Sequence, residues 1–251
     1  NQYWGPAHQG PILLGNNAAG FPHLFLGSSA PLDLGIAEIH GRLVWGKLSQ
    51  SDYTGITGRS RRRFMSGIIG VISPKGVRGL ELGAARFFHE AWPAGGLSLS
   101  NFTKPFESIL KVGLTGDPNL PDPGQSLDNQ LASVFARWVF PQSGLEVYAE
   151  YGREDHSWDL RDFILEPDHS GGYMLGLTKT LRSSPSHFYV IRAETMNLQV
   201  SQLIRGRNEG PFYLHGPEGH TERGQILGAA AGYGGNATLL AVDRYHAKGR
   251  W

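Results

Sequence analysis

The sequence predicts an all-β protein, an antiparallel outer-membrane β-barrel of meander topology with long extracellular loops and short periplasmic turns. Three observations predict it. Period-two alternation runs through segments of about twelve residues, whereas soluble strands typically hold about five or six and a tilted strand crossing a bilayer needs about nine to eleven. The gaps between these segments alternate strictly, long then short. Where the alternation is clean, one face carries charges and the other is apolar, and an Arg or Lys facing mid-bilayer would cost about 2–4 kcal/mol. In a barrel that crosses a membrane, the charged face is therefore the inner one.

Read in order, strands are expected near 36–48, 61–73, 79–90, 128–140, 144–155, 171–182, 186–198, 221–233 and 236–247, with one or two more within 10–28. The gaps at 49–60, 91–127, 156–170 and 199–220 are long; those at 74–78, 141–143, 183–185 and 234–235 are short. An up-and-down meander puts every long gap at one end and every tight turn at the other, as outer-membrane barrels do. In IAEIHGRLVW, Glu38, His40 and Arg42 oppose Ile39, Leu43 and Trp45. In LEVYAEYG, Glu146, Tyr148 and Glu150 oppose Leu145, Val147, Ala149 and Tyr151. In FYVIRAE, Arg192 and Glu194 oppose Tyr189, Ile191 and Ala193. Segments 61–73 and 221–233 are rich in Gly and Ala and show no clear polarity. Trp45, Tyr151, Tyr173 and Tyr189 sit toward strand ends on the lipid side, where aromatic girdles lie.

Composition narrows the function classes. With 251 residues the chain is long enough for one large β domain. A net charge of +1 argues against nucleic acid as an obligate partner. The chain has no cysteine, hence no disulfide framework and no thiolate chemistry. No segment approaches the roughly eighteen unbroken apolar residues of a membrane helix. Phe64 to Ile72 is the most apolar stretch, and glycines interrupt it.

The opening NQYWGPAHQGPILLGNNAAGFPHLFLGSS, then APLDLG, GLELGAARFFHE and DNQLASVFARWVFP…GLEVYAEYGREDHSWDLRDF, resembles the capsule assembly Wzi family. The resemblance runs through nearly the whole chain. It implies an outer-membrane β-barrel of roughly eighteen strands that binds surface or capsular polysaccharide and helps attach or assemble the capsule. It also implies a region preceding the WGP segment. With about eleven strands countable here, the chain is expected to form the larger C-terminal part of such a barrel.

The densest chemistry follows the strand ending at Asp155. If that end is extracellular, EDHSWDLRDFILEPDHS is an outer loop whose Phe163-Ile164-Leu165 core folds back over the barrel mouth. Glu154, Asp155, His156, Asp159, Arg161, Asp162, Glu166, Asp168 and His169 would bond sugar hydroxyls or pair among themselves, and Trp158 offers a face for a pyranose ring. The competing reading is a salt-bridged plug without a ligand. A second long loop, Arg205 to Gly224, brings Arg205, Arg207, His215, His220, Glu222 and Arg223 with Phe212 and Tyr213 between them; it would contact glycan or pair internally. On the inner face, Glu38, Arg42, Arg137, Glu146, Glu150, Arg192 and Glu194 form a ladder of acids and bases expected to neutralise one another, since an unpaired buried charge costs several kcal/mol.

Other motifs fail on context. GRLVWGKL, Gly41 to Leu48, has Leu where a phosphate loop needs Ser or Thr, and it alternates as a strand. HEAW at 89–92 lacks the second histidine of a zinc helix, no G-x-S-x-G elbow occurs, and the histidines have no ligand spacing. No metal or cofactor is expected. RSRRR at 59–63 reads as a solvated loop end or as a contact for lipopolysaccharide phosphates or an acidic capsule. Expected partners are surface polysaccharide, outer-membrane lipids and lipopolysaccharide. Two rival functions stand beside this one. Asp155, Asp159, Asp162 and Glu166 could supply a glycosidase pair, which needs a separation of about 5–9 Å. A diffusion porin would need an open lumen, against which the charge ladder and the loop both argue.

Overall fold

A computed structural model describes residues 2–53, 61–107, 128–154, 170–184, 186–200, 211–214 and 219–251. One 11-stranded antiparallel sheet organises them. Its strands are β1 (His23–Gly27), β2 (Leu32–Asp33), β3 (Ala37–Ser49), β4 (Arg62–Pro74), β5 (Leu80–Ala91), β6 (Asp128–Phe140), β7 (Leu145–Glu154), β8 (Gly171–Ser184), β9 (His187–Asn197), β12 (Asn236–His246) and β13 (Gly249–Arg250). A small separate hairpin, β10 (Thr221–Glu222) and β11 (Gln225–Ile226), lies between β9 and β12. From β3 onward each strand of the sheet pairs with its neighbour in sequence, and β9 pairs directly with β12. This is the expected meander. Short turns join β4 to β5, β6 to β7, β8 to β9 and β12 to β13, while every other link from β3 onward is long.

One strand lies within 10–28, β1 (His23–Gly27), as expected, and residues 2–22 run irregularly against the inner face. One strand expectation is overturned: segment 221–233 is not a strand of the sheet. Its backbone turns into positive φ at Arg223, Gly224 and Gly232, so it cannot stay extended, and it buries Leu227 and Ala229 in the core.

The sheet is inside-out relative to a soluble one. On β8, Tyr173, Leu175, Leu177 and Leu181 are exposed while Met174 is fully buried. On β12, Leu240 and Val242 are exposed and Asp243 is buried. On β7, Tyr148 and Glu150 are buried while Leu145, Val147 and Tyr151 are less so. The core lies against the inner wall, where Trp4, Ile12, Leu13, Leu14, Phe212, Tyr213, Leu227 and Ala229 pack with Met65, Phe87, Leu131, Met174 and Met196. Two wall glycines make room for it. A Cβ on Gly67 would come 2.6 Å from the Trp4 ring, and one on Gly152 would come 2.6 Å from the Ile12 methyl.

Some outward positions carry a charge, Arg86 among them. Arg86 belongs to the outward series of β5, with Leu82 and Phe88. A short helix, α1 (Leu99–Thr103), and the 3-10 turn Lys104–Phe106 fold down over the outer wall there. Arg86 donates to the carbonyls of Pro105 (3.1 Å) and Glu107 (2.6 Å), lies over Phe88, and bonds the Gln130 amide oxygen. Phe102 packs on Phe64 and accepts the Trp45 indole N–H at 2.9 Å through its carbonyl. The Arg is thus covered by backbone acceptors and does not face lipid bare.

Candidate functional site: a filled lumen below an outer rim

The inner wall holds the filling by carboxylates that accept backbone N–H groups. Glu194, on the inward series of β9, accepts from the amides of His8 (2.9 Å), Gln9 (3.2 Å) and Gly10 (2.9 Å), and from the Tyr148 hydroxyl (2.9 Å). Glu150, buried on β7, accepts from the Ile12 amide at 3.1 Å. Glu154, at the top of β7, accepts from the Tyr213 amide at 2.5 Å and from Asn129 at 3.3 Å. The Tyr213 hydroxyl donates to the Ile12 carbonyl at 2.5 Å, so the N-terminal segment and the β9–β12 loop are tied to one another and to the wall. Charge-assisted bonds of this kind are about twice as strong as neutral ones.

A second knot lies at the same level. Arg63, 1% exposed, donates to the Gly219 carbonyl at 2.7 Å and to the Thr221 carbonyl, and lies 3.1 Å from His89. His220 is wholly buried between Phe87, His89 and Tyr213, and its Nε2 meets the Leu13 carbonyl at 2.6 Å. Burial pushes the His220 imidazole down to about 3, and the nearby Arg63 adds to this, so the ring is neutral. Burial likewise pushes the Tyr213 phenol up, leaving it a neutral donor.

The predicted residues divide into three groups. Asp155, His156, Trp158, Asp159, Arg161, Asp162, Glu166 and His169 lie outside the described residues. Of the second loop, His220 is inside the lumen filling and has no exposed surface, because its ring completes the aromatic packing over Phe87. Arg223 stands at the rim, with its amide donating to the Ser49 carbonyl at 2.7 Å and its guanidinium 3.5 Å from Glu222. Glu222 is almost wholly buried, and desolvation raises its pKa against the opposing pull of the Ser49 amide and Arg223.

The inner-face ladder is more varied than mutual neutralisation. Arg137 bonds Glu146 at 2.7 Å and Glu81 at 3.0 Å, and Arg192 and Arg250 both bond Asp243. Arg42 bonds the Gln2 side chain at 3.0 Å and lies over Phe25, while Glu38 is exposed at the foot of β3. Glu150 and Glu194 take amides as partners. Sequence reasoning missed this role because the donors are main-chain groups that no residue type announces. It also read Arg63 with its neighbours as one basic run, whereas strand alternation turns Arg62 outward and Arg63 inward. Among the described residues no three His, Asp or Glu side chains come together as metal ligands.

A family model for the capsule assembly protein Wzi matches residues 1–249. The chain belongs to the Wzi capsule assembly family. Among solved structures it is similar to Wzi of Escherichia coli, described as an outer membrane protein involved in group 1 capsule assembly and a carbohydrate-binding β-barrel, with a TM-score of 0.68 at 16% identity. The match covers 96% of this chain and 48% of that one, so the chain spans about half the length of its structural relative. No match was found among curated proteins. The fold of this Wzi-family chain is that of an outer-membrane β-barrel, and its long-loop end is the outer face.

Proposed function

We propose that this chain holds surface polysaccharide against the outer membrane without cleaving it, and so helps attach or assemble the capsule. Membership of the Wzi family carries the reading, and the filled inner wall supports it. Segments 2–22, 211–214 and 219–231 occupy the space along the inner face that a diffusion pore would leave to water. Chemistry is then left to the long loops on the outside.

In this reading Asp155, His156, Trp158, Asp159, Arg161, Asp162, Glu166 and His169, with Arg223 at the rim, make the glycan contacts. Carboxylates and guanidinium groups bond pairs of hydroxyls, and the indole stacks on a ring face. Each contact is weak, and a polymer multiplies them through effective concentration. The lumen residues Arg42, Arg137, Glu146, Glu150, Arg192 and Glu194 hold the wall and its filling, while Glu38 lies exposed at the foot of β3. Heat-modifiable gel migration of the full-length protein tests the barrel. Co-sedimentation with capsular polysaccharide, with the polymer's length measured afterwards, tests the function. Polymer is expected to bind and keep its length, and Trp158→Ala is expected to lose binding. Shortened chains would establish a glycosidase or lyase instead.

A further inference from the structure

We infer that the outer wall at β3 and β4 carries a binding site for a phosphorylated glycolipid of the outer leaflet, with Lys47 and Arg62 as its phosphate ligands. The inference rests on the outer-membrane reading. On β3 the outward series climbs through Ile39, Leu43 and Trp45 to Lys47; on β4 it climbs from Ile72 and Ile68 through Phe64 to Arg62. Both strands therefore pass from aliphatic to aromatic to cationic; Trp45 and Phe64 lie under the Leu99–Phe106 segment, and Lys47 and Arg62 are the next outward residues, at headgroup height. The eight steps from Ile39 to Lys47 rise about 20 Å on a tilted strand, which places the ammonium at the edge of an apolar band about 25 Å tall.

The register pairs Ser49 with Arg62 and Lys47 with Phe64, so the two cations are diagonal neighbours on one face. They border a hollow of about 860 Å³ with Ser49, Gln50, Arg61 and Trp92. The carboxylates nearby are committed elsewhere. Asp52 bonds Arg61, and Glu222 accepts from the Ser49 amide at 2.6 Å while lying beside Arg223. Among the described residues, neither Lys47 nor Arg62 has a carboxylate within ion-pair distance. Glu222 feels the Lys47 charge, but with no carboxylate paired directly to either cation, the two at this height suit an anion. A polymer drawn over the mouth would meet the loops and the inner series; what surrounds the outer wall at this level is the phosphate layer of the lipid itself.

The full-length protein in detergent is incubated with diphosphoryl lipid A, with fully dephosphorylated lipid A, or with polygalacturonate. Bound lipid is counted by native mass spectrometry and bound polymer by co-sedimentation. The diphosphoryl lipid is expected to stay bound and the dephosphorylated one to dissociate. K47Q/R62Q should weaken lipid binding about tenfold or more, and K47R/R62K should restore it, with polymer retention unchanged. R62Q alone, at an exposed strand end, is expected to weaken lipid binding a few-fold and serves if the double variant fails to fold. Equal retention of both lipids, or undiminished binding by the variants, overturns the inference. Loss of polygalacturonate in place of lipid assigns the hollow to an acidic polymer and overturns it equally. A protein with no heat-modifiable shift would instead sink the barrel reading itself; a shifted barrel indifferent to phosphate sinks only this site.

Discussion

The upper and lower inner walls carry similar charges and use them differently. Near the short turns, Arg137 ties β5, β6 and β7 together through Glu81 and Glu146, and Arg192 and Arg250 meet at Asp243 on β12. These bonds link strand to strand. Higher up, Glu150, Glu154 and Glu194 bond the main chain of segments lying against the wall. The Arg137 side chain is 35% exposed, whereas Glu150 is 2% exposed. Water can replace a partner of Arg137, though not of the buried Asp243. It cannot reach the buried carboxylates higher up, so these carry the structural weight.

The largest effect that would break this comparison is at Glu194. Glu194→Ala leaves three amides and a tyrosine hydroxyl without their acceptor, and an unsatisfied buried group costs about 1–3 kcal/mol. We expect a loss of about 3–5 kcal/mol, read as a lowered urea midpoint and as new protease cleavage within residues 2–22. A variant as stable as the parent would show that the amides turn to water, and that upper and lower walls are equivalent. Gly152→Leu comes next. It drives a side chain into Ile12, with an expected cost of about 1–3 kcal/mol for overpacking, and the same cleavage sites should open without any charge being altered.

Acid sharpens the comparison. The unfolded chain protonates His220 near pH 6.5, whereas the folded ring resists protonation down to about 3. Because the folded value is depressed, the unfolded state binds more protons below 6.5, and stability falls as pH drops from about 6.5 toward 3. The slope from this group is at most about 1.4 kcal/mol per pH unit. His220→Phe should flatten the fall in urea midpoint over that window; an unaltered slope would place the acid response elsewhere. The smallest effect is expected at Arg137→Ala, under about 1 kcal/mol because the guanidinium is about one-third exposed, and visible only at low salt.

The strands were legible because their side-chain period is two and their length exceeds what a soluble sheet uses. β6 begins and ends as expected at 128–140, and β3, β4 and β5 are each displaced by one residue. Segment 221–233 misled because Gly and Ala leave no periodic trace, and nothing local distinguishes a strand from a chain that turns at Arg223 and Gly224. The WGP opening was legible as a family signature but not as a lumen filling.

By itself the sequence determined which face carries charge where the alternation is clean, which ends carry the long loops and to which family the chain belongs, since alternation, spacing and motif order are properties of the chain read in line. Only the tertiary structure decided what the inner charges hold. An acid at position 150 or 194 is compatible with an arginine, a water or an amide as its partner. Residues 138 and 186 positions away supply the amides here, and no rule of local spacing reaches that far.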